Sequence, residues 1–206
     1  MIRKPPAGPI LAVDTTERPL SLALQTQKGI LASTREPRKP HDETIHAAAE
    51  RLLAKAGLRA RELSAVAVAA GPGTFTGIRV GMAYAAMLSF ELHIPALALS
   101  RLEALAFASP HRRTLAAIEG FRGEVYCQPF HITRGAPRPE ASPLWLRPAE
   151  WPAYKAAALR RGLVLAEGRP GARDLLAPAA IRLAREHRPP FEPLYLKPAN
   201  YELSRR

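Results

Sequence analysis

At 206 residues, with 47% hydrophobic and 23% charged residues, the chain has room for a core in one domain or two small lobes. A single cysteine, Cys127, excludes an internal disulfide. No apolar run reaches membrane-spanning length, and Met1 to Pro6 hold no apolar signal core, so a soluble cytoplasmic protein is expected. The 30 Lys and Arg against 18 Asp and Glu give a net charge of +12, which favours an anionic partner such as RNA. Yet no basic run exceeds a pair, and no cluster of aromatics with arginine is visible, so direct nucleic-acid contact stays open.

Pro9 to Asp14 reads as a buried strand ending in a carboxylate, and Thr15 to Pro19 as a turn. Leu20 to Leu24 alternates as a half-buried strand should, and Gly29 to Thr34 adds a third. A polar loop from Arg38 to Asp42 leads into a helix that stops at Gly57. Asp42 is placed to cap that helix, and Glu43 suits its positive end. Ala65 to Ala70 is another buried strand, and a helix after it ends near Leu92. Ile94 to Leu99 is a strand, after which Ser100 caps a short helix from Arg101 to Ala108. Thr114 to Glu119 and Glu124 to Gln128 flank a turn through Gly120 and Gly123. Pro148 to Leu159 and Ala177 to His187 read as helices, Leu163 to Ala166 as a strand, and Phe191 to Lys197 as an extended tail. Strands alternating with helices call for a layered α/β fold. Ala12-Val13-Asp14 and Ala117-Ile118-Glu119 form a weak internal repeat: each is an apolar strand ending in an acid and entering a hairpin. That repeat implies two lobes facing across a cleft.

Between strand and helix lies Gly71-Pro72-Gly73-Thr74-Phe75-Thr76-Gly77-Ile78-Arg79. Free N–H groups and a positive helix end meet there, so Gly71, Gly73 and Thr74, with Asp14, Thr15 and Thr16, are candidate contacts for an anion or nucleotide. The same residues also make a tight turn with Thr74 or Thr76 as helix cap, and an Asx turn at Asp14. No Lys-Ser or Lys-Thr follows, so this is not a P-loop, and no dinucleotide fingerprint fits. His41 and His46 diverge by about 140° on a helix, too far for adjacent metal ligands. No metal site, nucleophile elbow or carboxylate pair is found, and no catalytic residue or cofactor is assigned. Gly81, Ala85 and Ser89 make a small-residue stripe beside Met82, and the earlier helix carries Ile45, Ala49 and Leu52. Helices apolar on more than one face are covered twice, either by another chain or by each other.

Together, Ile10 to Thr16, Leu20 to Leu24, His41-x-Glu43, Gly71 to Arg79 with Gly81, Ile118 to Tyr126 and Pro193-Leu194-Tyr195-Leu196 resemble the TsaB (YeaZ) family. The Gly-Pro-Gly-Thr-Phe-Thr-Gly-x-Arg run is highly specific, and the matching segments occur in family order across nearly the whole chain. The resemblance implies an actin/Hsp70/sugar-kinase-like (ASKHA) fold of two lobes, each opening with a β-hairpin: residues 1–108, carrying the partner-binding helices, and a reduced lobe at 109–206. It also implies a non-catalytic subunit in tRNA threonylcarbamoyladenosine synthesis, which binds and activates a TsaD transferase together with the ATPase TsaE. The partner interface would then be Gly81, Met82, Ala85, Ser89, Ile45, Ala49 and Leu52, with self-pairing through the same helices left open. Family members often carry an Asp-Ala-Arg-like turn where this chain has Glu119-Gly120-Phe121-Arg122. That departure and the short second lobe put nucleotide binding by this chain alone in doubt. The rival expectations are a small-molecule kinase or ATPase of the same fold and a glycoprotease-like peptidase.

Overall fold

The computed structural model describes residues 8–36, 41–185 and 190–197, without the side chains of 31–36 and 41–43. Residues 38–40 of the expected Arg38–Asp42 loop, the side chains of His41, Asp42 and Glu43, and a helix end at His187 lie outside the described residues, while the helix itself begins at His41, one residue before the expected Asp42 cap.

Strand β1 (Ile10–Asp14) is buried along its whole length. It runs antiparallel to β2 (Leu20–Thr26) and parallel to β4 (Ala65–Gly71), so neighbours on both edges satisfy its backbone. Strand β3 (Gly29–Glu36) extends one edge and β5 (Ala96–Ser100) the other, giving the order β3-β2-β1-β4-β5. Helix α1 (His41–Lys55) crosses from β3 to β4 and stops before Gly57, and α2 (Phe75–Leu92) follows β4.

The second sheet repeats this path. Strand β6 (Arg113–Glu119) pairs antiparallel with β7 (Val125–Thr133) and parallel with β10 (Val164–Glu167). Strands β8 (Ala136–Pro139) and β9 (Leu144–Leu146) share the outer edge of β7, and α4 (Trp151–Arg160) makes the crossover to β10. Hairpin, outer strand, crossover helix and parallel strand occur in the same order in both sheets. The fold is the two-sheet α/β architecture of actin/Hsp70/sugar-kinase-like proteins, and the acid-tipped repeat is its sequence trace.

Helices α3 (Arg101–Ala108) and α5 (Ala172–Ala184) form a shared layer between the sheets. Side-chain alternation explains why they fit. Leu11, Val13, Val66 and Val68 point to α1 and α2, whereas Ala12, Ala23, Ala65, Ala67 and Ala69 face α5. This alanine floor lets α5 lie close to the first sheet although it follows the second in the chain. Helix α5 starts five residues before the expected Ala177. Asp174 accepts the Gly171 N–H at 2.7 Å to fix the start, and Leu175, Leu176 and Ala179 are buried, so packing overrides the internal Pro178. Ser100 caps α3 as expected, accepting the Glu103 N–H.

Burial pushes the Cys127 thiol from its ordinary 9.0 up to about 12. Burial, aided by Glu50, pushes the Tyr84 phenol from 10.0 up to about 12. The folded state therefore keeps protons that the unfolded state releases. Their contribution is complete below about pH 9 and is lost as pH rises towards 12. Melting temperature should hold up to about pH 9 and then fall. Tyr84→Phe should make the alkaline fall shallower, and an unchanged slope would contradict this reading.

Candidate functional site

Strand β1 ends at Asp14, which is 4% exposed, and Thr15 and Thr16 behind it are fully buried. Asp14 Oδ1 accepts the Thr16 N–H at 2.9 Å and the Thr16 hydroxyl at 2.6 Å, an Asx turn. The glycine loop closes directly on this turn. The Thr74 N–H donates to the Thr16 carbonyl at 2.8 Å, and the Thr74 hydroxyl donates to the same oxygen at 3.0 Å. Thr74 also caps α2 by accepting the Gly77 N–H at 3.2 Å, so of the two threonines it is the cap. The Thr15 hydroxyl donates to the Gly77 carbonyl at 2.6 Å.

The glycines thus serve close approach. A Cβ on Gly77 would collide with the Thr15 carbonyl oxygen, and one on Gly73 would stand 2.5 Å from Thr16 Cβ. Gly71 has φ +120°, and its face meets the Leu194 carbonyl. Asp14, Thr15, Thr16, Gly71, Gly73 and Thr74 do come together, as expected of an anion site. The hairpin and the tail pack directly against the loop: Thr15, Thr16 and Leu194 stand against Gly77, Gly73 and Gly71.

The residue that organises this place is Arg101, the first residue of α3. Its side chain is 2% exposed. Nε lies 3.2 Å from Asp14 Oδ2, and Nη1 donates to Glu17 Oε1 at 2.7 Å and to the Pro72 carbonyl at 3.1 Å. Nε and Nη2 also donate to the Pro170 carbonyl, at 3.2 and 2.9 Å. One guanidinium thereby joins the hairpin turn, the glycine loop, α3 and the entry to α5. Burial alone would lower its pKa, but Asp14 and Glu17 outweigh burial and hold it above the ordinary value. In the sequence Arg101 stands only as the first residue of a helix after the Ser100 cap. A cation in the first turn opposes the helix dipole, which is the one local sign at Arg101; its burial and its acidic partners are set by the fold.

At the matching hairpin of the second sheet, Glu119 is exposed and the turn is held by the Gly120 N–H donating to the Glu124 carbonyl at 2.7 Å. The tail links the glycine loop to the hairpin of the second sheet. The Leu194 N–H donates to the Ala70 carbonyl at 2.7 Å, Leu196 packs into the second sheet's core, and Lys197 Nζ reaches both Glu124 carboxylate oxygens, at 2.7 and 2.9 Å. A hollow of about 640 Å³ lies elsewhere, between α3, α5 and β8, lined by Phe107, Phe130, Arg138 and Arg182 among others. None of the expected site residues lines it.

The expected partner interface needs correction. Gly81, Met82, Ala85, Ile45, Ala49 and Leu52 are all buried within the chain itself. A Cβ on Gly81 would collide with the Thr15 hydroxyl, and Ala85 and Met82 pack in the core above β4. Ser89 is half-buried, its hydroxyl donating to the Ile94 carbonyl at 2.5 Å. The small stripe lets α2 sit close to its own sheet. The outward face of α2 is instead Ala83, Ala86, Met87 and Phe90, with Phe90 80% exposed.

The family profile described as TsaD, tRNA N6-adenosine threonylcarbamoyltransferase, matches residues 25–138. The chain is 33% identical to the tRNA threonylcarbamoyladenosine biosynthesis protein TsaB of Bacillus subtilis over 61% of this chain and 56% of that protein. With the protein of the same name from Escherichia coli it shares 28% identity over 91% of this chain and 94% of the other. The chain thus spans just over half the length of the first relative and nearly all of the second. The solved structure of YeaZ from Pseudomonas aeruginosa superposes with a TM-score of 0.74 at 27% identity, covering 92% of this chain and all of that one.

Replacing Arg101 by Met should leave Asp14 buried without its cation and cost about 3–5 kcal/mol in urea unfolding. Adding Asp14→Asn to that variant should recover part of the loss, because the stranded charge goes with it. A single variant within about 1 kcal/mol of the parent would contradict the assigned role.

Proposed function

The chain belongs to the TsaB (YeaZ) family, within the wider family that the TsaD threonylcarbamoyltransferase profile describes, and from that premise we propose that it is a non-catalytic subunit of tRNA threonylcarbamoyladenosine synthesis. In this reading it binds and activates a TsaD-type transferase, with a TsaE-type ATPase, in the cytoplasm. One observation carries the non-catalytic assignment: Arg101 engages Asp14, and Thr15, Thr16 and Leu194 fill the glycine loop, so the groups a kinase would turn on phosphates are already committed. Cys127, whose thiol holds its proton to about pH 12, is no better placed to act as a peptidase nucleophile.

The outward face of α2 supports the partner reading. Ala83 and Ala86 keep it low, Met87 and Phe90 offer apolar anchors, and Ala47 and Ala54 of α1 are exposed on the adjoining helix. A low surface with a few large anchors suits helix-to-helix docking, where aromatic side chains carry most of the affinity. The same face would serve self-pairing, so a second copy and the transferase would compete for it.

Phe90→Glu tests this. The side chain is already in water, so the melt of the variant alone should not move. Co-elution with a TsaD-type transferase should weaken by about thirtyfold or more, since a lost anchor costs about 2 kcal/mol or more. Normal co-elution would remove α2 from the interface. Transfer to tRNA by the purified chain alone would overturn the non-catalytic assignment.

A further inference from the structure

No aromatic and arginine cluster is legible in the sequence because its parts, Phe75 with Arg79, Phe121 with Arg122, and Tyr195, lie far apart, but the tail brings them into relation. Phe75, in the first turn of α2, is 55% exposed. One turn on, the Arg79 guanidinium lies 4.2 Å from the centre of its ring, and Tyr195 of the tail lies 4.9 Å from the same ring at an interplanar angle of 35°. Two residues further, Lys197 grips Glu124, whose N–H donates to the Phe121 carbonyl at 3.3 Å. Phe121 is 70% exposed, and the Arg122 guanidinium stands 5.0 Å from its ring centre. Extended chain advances about 3.3 Å per residue, so Tyr195 and Lys197 lie roughly 7 Å apart, and the Lys197–Glu124 ion pair ties the tail beside the first group to the turn that holds the second.

We propose that this rim, Phe75, Arg79 and Tyr195 together with Phe121 and Arg122, docks single-stranded RNA. The proposal rests on the reading of the chain as a subunit that works on tRNA. Bases would stack on the exposed rings, and phosphates would be drawn to Arg79, Arg122 and the net charge of +12. The pairing of rings with guanidinium groups is what favours RNA over a protein partner. Planar cations beside aromatic faces match a chain of alternating bases and phosphates. The protein-facing stripe on α2 has alanine, methionine and phenylalanine instead, and Phe90 lies about 22 Å along the helix axis from Phe75 at 1.5 Å per residue. A duplex hides its base faces, so the rim selects unpaired strands such as loops.

The test uses the full chain and a short, unstructured, fluorescein-labelled RNA of adenosine and uridine, read by fluorescence anisotropy. Binding should weaken as salt rises. Phe121→Ala and Tyr195→Ala should each weaken it roughly tenfold, about 1.4 kcal/mol, with unchanged melts. Tyr195→Phe should restore it, and Arg79→Ala should flatten the salt dependence. A duplex of equal length should bind more weakly. The proposal is overturned if the RNA does not bind, if the ring variants bind like the parent, or if duplex binds as well as single strand, which would mean bulk charge alone. It is also overturned if the ring variants lose co-elution with the transferase while keeping RNA affinity, which would make the rim a protein interface. The subunit reading is tested separately, on Phe90 and the transferase without RNA, so either can fail alone.

Discussion

A guanidinium group 2% exposed to solvent sets the terms for this molecule. Taking Arg101 out of water costs several kcal/mol, and only close, complete pairing offsets that. Asp14 and Glu17 supply the charge, and the carbonyls of Pro72 and Pro170 take the remaining N–H groups. Because Arg101 and those partners come from four separate segments, the pairing is satisfied only when β1 with its hairpin turn, the glycine loop, α3 and the start of α5 are all in place. Buried ion pairs are poor sources of net stability, but this one penalises any arrangement in which the two sheets are not locked through their shared helical layer.

The same constraint shapes function. A hairpin turn beside a glycine loop could hold phosphate, and here the two are bonded directly to each other. The threonine hydroxyls are spent on Gly77 and Thr16 carbonyls, and the tail passes along the glycine loop to Glu124. What the chain offers to others is therefore its outside: the low face of α2, and a rim where rings and arginines stand in water.

Much of the fold could be read from the sequence, because the period-2 strands, the Ser100 cap and the stop at Gly57 are local signals. The two hairpins with acidic tips disclosed the duplication, which β8, β10 and α4 then complete. Strand β8 was not legible, since Pro137 and Pro139 argue against a strand; they are tolerated because β8 pairs on one side only. The stripe of Gly81 and Ala85 was visible, but its direction was not. Small residues permit close approach to any surface, and only the fold shows that the surface is Thr15 and Val68. Arg101 and the Phe75–Tyr195 contact were hidden for a different reason: their partners lie as much as 120 residues away, beyond any local pattern.

The central claim is that the cleft residues are committed to the fold and leave no place for a nucleotide. Calorimetric titration of the purified chain with magnesium and ATP tests it directly. The account predicts no saturable heat in the parent. One-to-one binding that disappears in Asp14→Asn, with the fold intact, would show that Asp14 is a ligand for phosphate and contradict the account.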